Sequence, residues 1–239
     1  MGIEVYIVIC LGIFAGFFIQ TVIGFAGALI SLPILLLTVG LHDAMAYISI
    51  FYMYSSVLLI SKEWKNINKK IIIKLIIGTV LGVGIGVWVL SHGKPLFLKK
   101  ALGIFILLYV VYSIYVKNKI FSHPKLEFVF GLFGGFFSGL FSTGGPLYVI
   151  VVKNSALDMR VFRATMFGVL GLVTITRIPI LYIGGILNLN HVYYSLFIIP
   201  FFLLALYLGK KMYLKLNETT LKRGVLVLLF ISGVMLTVK

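Results

Sequence analysis

An all-α integral membrane protein built from two inverted repeats is the fold class this sequence predicts, and three observations carry it. First, 61% of the 239 residues are hydrophobic and 11% are charged, with a mean hydropathy of +1.15, far from the roughly even apolar share of a soluble domain. Second, eight apolar runs occur, measured against the about 20 residues a membrane helix needs. Third, Gly16-Phe17-Phe18 returns as Gly135-Phe136-Phe137, Asn66-Ile67-Asn68 as Asn188-Leu189-Asn190, and Leu98-Lys99-Lys100 as Leu221-Lys222-Arg223. The separations are 119, 122 and 123 residues, and three markers in one order at a near-constant offset point to an internal duplication.

In chain order, the runs lie at residues 3–40, 42–61, 70–91 and 97–117, then 126–153, 160–183, 192–210 and 220–238. Residues 1–117 form a first membrane repeat, 118–125 a connecting loop containing Pro124, and 126–239 a second repeat; the proline discourages a helix through the loop. The first run of each half is too long for one crossing. About 38 residues reach near 57 Å and about 28 reach near 42 Å, against a hydrocarbon core of about 30 Å. Each is expected to break into a helical hairpin at its glycines and at Pro33 or Pro146, giving about 8–10 helices.

Charge placement favours the hairpins. Without them, loop Lys and Arg divide 8 against 11; with them, 15 fall on one side and 4 on the other, as the positive-inside rule requires. Each half then crosses an odd number of times, so the second is inverted and both termini are non-cytoplasmic. The net charge of +15 is thereby explained by cytoplasmic loops, and no soluble segment is long enough for a nucleic-acid-binding domain. Met1-Gly-Ile-Glu4 lacks a cationic n-region and no small-residue cleavage site follows, so the first run is expected to remain in the membrane. The single Cys10 reads as a packing residue, and excludes an intrachain disulfide and a cysteine-ligated metal site.

Broken membrane helices are tolerated where the freed backbone is buried or lines a polar cavity. A half-helix N-terminus offers N–H groups and partial positive charge to an anion. Gly24, Gly27, Gly144, Gly145 and Pro146 would shape two such cradles, with Gln20, Thr21, Ser31, Ser138, Ser142 and Thr143 as neutral hydrogen-bonding groups. Gly12, Gly16, Gly78, Gly82, Gly84 and Gly86 read as helix-packing positions. Arg163 and Arg177 lie about 21 Å apart along one helix. Arg177 is surrounded by apolar residues, so it faces a partner or cavity or snorkels to the interface seven residues on. Asp43 and Asp158 follow the two cradles; each reads as an N-cap, with ion or proton coupling as the alternative role. The histidines lack metal-ligand spacing and no hydrolase motif occurs, so neither a metal, a cofactor nor an enzyme is expected.

The paired glycine-rich cradles, the two four-run halves, the length and Arg163-Ala164-Thr165 together resemble the TauE/SafE sulfite exporter family, also called the toluene sulfonate uptake permeases, over essentially the whole chain. The resemblance implies a cell-membrane permease for small anions such as sulfite or sulfonates, without a nucleotide-hydrolysing domain. This chain departs from the family's glycine run with Ala26 and Ala28 around Gly27, and with Ser142-Thr143 before Gly144. The expected function is alternating-access transport of an organosulfur oxyanion at a site shared by both cradles. A channel-like anion pathway and a non-transporting scaffold are the alternatives. The bilayer and the anion are the expected partners; the coupling ion, proton or sodium, and a homo-oligomer are left open.

Overall fold

The computed structural model describes residues 2–115, 124–155, 158–213 and 218–238. Among them the chain forms α1 (Ile3–Ile23), α2 (Gly27–Leu35), α3 (Leu41–Glu63) with a 3-10 turn (Trp64–Asn66), α4 (Lys69–His92) and α5 (Pro95–Tyr115). It continues as α6 (Pro124–Phe141), α7 (Gly145–Ser155), α8 (Met159–Ile183), α9 (Leu189–Tyr213) and α10 (Glu218–Val238), with no strand among the described residues. Six helices, α1, α3, α4, α5, α8 and α9, are long and apolar enough to cross a membrane, and α6 is a shorter apolar helix. The protein is therefore a multi-pass helical membrane protein. Of the expected connecting loop, residues 118–123 lie outside the described residues, whereas Pro124 opens α6.

Each long first run is interrupted, but Pro33 is not the breaker. It lies buried inside α2, two residues from that helix's end, where a lost backbone hydrogen bond disrupts little. The chain breaks nine residues earlier, at Gly24, whose φ of 90° places it in the left-handed region that ends α1, with its N–H on the Gln20 carbonyl. Ala26 also has positive φ, 73°. In the second run α6 ends as Ser142 turns left-handed at φ 57°, with the Ser142 N–H donating to the Ser138 carbonyl and the Thr143 N–H to the Phe137 carbonyl. Pro146 then sits in the first turn of α7, where a helix tolerates proline because the N–H it lacks would be unpaired anyway.

Small residues set the packing. Gly78, Gly82 and Gly86 of α4 meet α6 at Gly131, Gly135 and Gly139, and a Cβ at most of these positions would strike the facing backbone. This is close helix contact through residues spaced by four. Gly84 has open space around it, so the packing role expected of it is not seen; it lies two residues from both Gly82 and Gly86, on another face of the helix. Helix α1 lies on α9 through aromatic contact, with the Phe17 and Phe202 rings 5.2 Å apart and the Tyr6 hydroxyl donating to the Phe197 carbonyl at 2.7 Å. Gly12 and Gly16 hold α1 against α2, and the Ser31 hydroxyl donates to the Gly12 carbonyl at 2.8 Å. Helix α3 packs on α8, and α5 on α10.

Candidate functional site

The two breaks touch. A Cβ on Gly145, at the start of α7, would lie 3.3 Å from Phe25 Cβ and 3.8 Å from the Ala26 nitrogen. The N-termini of α2 and α7 are thus brought together, with α3 and α8 beside them.

Beside the second break is a small cavity. Ser49 and Tyr52 of α3 line it, with Ser138 and Ser142 at the end of α6. Its other wall is α8, from Leu170 through Val173 and Thr174 to Arg177 and Ile178. The space accommodates about one water molecule. Residues 170, 173, 174 and 177 are spaced i, i+3, i+4 and i+7, so a single helix face delivers them.

Arg177 is 2% exposed, and its Nε and Nη2 groups have no hydrogen-bond partner. It does not reach the surface, so the snorkelling alternative is not what the structure shows. A guanidinium is always charged in proteins and offers five donors. Leaving donors of a buried charge unpaired is costly.

The hydroxyls divide by use. Ser49 and Thr174 donate to carbonyls of their own helices, Met45 at 2.6 Å and Leu170 at 2.7 Å. Ser142 and Thr143 have no partner for their buried hydroxyls, while the Tyr148 hydroxyl faces those of Thr79 and Ser138. Gly144 lies against the Gly134 carbonyl and the Ser138 hydroxyl, and the ring of Tyr148 packs on Gly134. The turn from Ser142 to Pro146 is buried throughout.

At the first break the polar groups are mostly paired. Gln20 Nε2 donates to the Ser55 hydroxyl at 3.0 Å; its Oε1, pressed near Gly27, is unpaired. The Thr21 hydroxyl donates to its own helix at Phe17, 2.7 Å. The Tyr52 hydroxyl accepts the Ala28 N–H at 3.0 Å, taking up one free donor of the α2 N-terminus. Its own proton remains to donate.

Arg163 is not in the cavity. Its Nη2 donates to the Thr21 carbonyl at the end of α1, its backbone adjoins Gly24, and its guanidinium lies 3.6 Å above the Tyr213 ring. A cation there complements the negative end of α1. Thr165, two residues on, accepts the Asn68 N–H at the start of α4, 3.0 Å away. The Arg163-Ala164-Thr165 element therefore joins α8 to two other helices.

Asp158 is the N-cap of α8, accepting the Arg160 N–H at 3.1 Å. Asp43 is not an N-cap. Helix α3 is capped by Gly40, and Asp43 in its first turn instead pairs with His191 Nε2 at 3.1 Å. The Asn188 N–H donates to His191 Nδ1 at 3.3 Å, leaving Nε2 to carry the proton toward Asp43. Among the described residues no group of acids, histidines or cysteine could hold a metal ion.

Sequence reasoning missed Tyr52, Tyr148, Thr79, Ser49 and Thr174. For Thr174 the signal was available in its helical spacing to Arg177. For the others there was none, since tyrosines number 13 and only folding distinguishes those facing the breaks.

The model of the family described as "Sulfite exporter TauE/SafE" matches residues 8–236. No curated protein matches, and no solved structure does.

Proposed function

The chain belongs to the TauE/SafE sulfite exporter family, a family of membrane transporters, and on that premise we propose that it carries a small sulfur oxyanion, sulfite or a sulfonate, through the cavity at Arg177. The observation that carries this reading is the buried guanidinium with two unpaired donors. Ser138, Ser142 and the free proton of Tyr52 supply O–H donors around it, and donors to an oxyanion form strong charge-assisted bonds. Thr143, Gly144, Gly145 and Pro146 shape the second cradle; Gln20, Gly24 and Gly27 shape the first. Thr21 and Arg163 tie α8 to the end of α1, as a strut that moves with the carrier.

The transport cycle in this reading is alternating access between two inverted halves, α1–α5 and α6–α10. Support comes from the crosswise pairing of corresponding helices: α1 packs on α9 as α6 does on α4, while α3 meets α8 and α5 meets α10. The cavity's small size suits an occluded shape that must open to admit its load. For coupling, Asp43 with His191 is a better proton candidate than Asp158, because the pair joins two helices of different halves.

The test is counterflow in liposomes holding the purified protein and labelled sulfite. Accumulation driven by unlabelled sulfite inside is the expected result. Flux without saturation would support a pore instead, and no flux of any sulfur oxyanion would overturn the transport reading.

A further inference from the structure

Resting on the assignment of the cavity to an oxyanion, we infer that it selects by charge as well as by shape: the substrate bears no cationic group, and zwitterionic aminosulfonates are refused. The chain has six acidic residues, and every one stands at or within a turn of a helix end: Glu4, Asp43, Glu63, Glu127, Asp158 and Glu218. None is among the residues lining the cavity.

An ammonium carried in beside the anionic group would have no carboxylate to pair with. The hydroxyls of Ser49 and Thr174 are committed to helix carbonyls, and the carbonyls of Phe137 and Ser138 are taken by the turn. Leu170, Val173 and Ile178 fill much of the α8 wall and offer no acceptor from their side chains, so an ammonium finds only the neutral hydroxyls of Ser138 and Ser142, which do not offset its charge. The strongest objection to a cation is Arg177 itself. In so narrow a space a second positive charge stands within a few ångströms of the guanidinium, where like charges repel strongly once water is excluded. A neutral polar group of the same size meets neither penalty.

The experiment is competition against labelled sulfite in liposomes with the full-length protein, using two near-isosteric sulfonates. One is 2-hydroxyethanesulfonate, a monoanion; the other is 2-aminoethanesulfonate, a zwitterion at neutral pH. The hydroxy compound should compete, and the amino compound should be weaker by about 100-fold or more, the cost of burying an unpaired charge. Equal competition at neutral pH would overturn the charge filter and leave the anion reading standing. If neither sulfonate competes and sulfite itself is not moved, both fall together.

Discussion

The two helix breaks share a position in the chain's plan and differ in what their polar groups do. At the first, Gln20 holds Ser55, Ser31 holds the Gly12 carbonyl, and Tyr52 takes the Ala28 N–H. At the second, the hydroxyls of Ser142 and Thr143 are buried and unpaired, with Arg177 close by. A paired group stabilises a fold; an unpaired buried one is a cost that a ligand can relieve. In the proposed reading the first break is a scaffold and the second is the face that meets the substrate.

The most severe way to break this contrast is to fill the second turn. Gly144→Leu drives a side chain into the Gly134 carbonyl and Ser138. Sulfite flux in liposomes should fall by at least about 100-fold, a loss of near 3 kcal/mol of function, while membrane insertion, followed by size-exclusion chromatography, is kept. Unchanged flux would remove the second cradle from the mechanism.

Arg177→Gln comes next. It keeps a donor but deletes the charge, and sulfite affinity should drop about 10- to 100-fold, in line with a charge-assisted bond of about 1.5–3 kcal/mol. Arg177→Lys should recover only part, because an ammonium cannot reproduce the planar fork. Full activity in the Gln variant would place the anion elsewhere.

A paired test sharpens the comparison itself. Ser31→Ala should lower thermal stability by ~1 kcal/mol and leave the sulfite KM unchanged, because that hydroxyl serves only the Gly12 carbonyl. Ser142→Gly should do the reverse: relieving the left-handed backbone at φ 57° stabilises by ~1 kcal/mol, while loss of the hydroxyl raises KM several-fold. If both variants move the same quantity, the two breaks do not have separate roles. The smallest effect expected is that of Asp158→Ala, which removes an N-cap worth ~1 kcal/mol and should leave flux unaltered; lost flux in a stable variant would restore its coupling role.

Much of the helical plan was legible beforehand. The all-helical membrane class was legible because membrane length and apolarity are properties of contiguous sequence; where eight apolar runs were read, six helices among the described residues are long and apolar enough to span, with α6 a shorter one. The broken first runs were legible from length, and the first breaks at one of the expected glycines, Gly24; Pro33, the other expected breaker, lies inside α2, since a left-handed Gly24 ends a helix more sharply than a proline near the end of α2. Arg177 was legible as a rare charge among apolar residues. Arg163, offered in the sequence as a second candidate on the same helix, instead meets the Thr21 carbonyl and the Tyr213 ring.

By itself the sequence determined the membrane class, the helix order, the breaks in both first runs and the family, all carried by local composition and motif. Only the tertiary structure decided which polar groups are paired and which remain free at the cavity. Pairing depends on residues far apart in the chain, as with Gln20 and Ser55 or Tyr52 and Ala28, and no local pattern encodes where such partners meet.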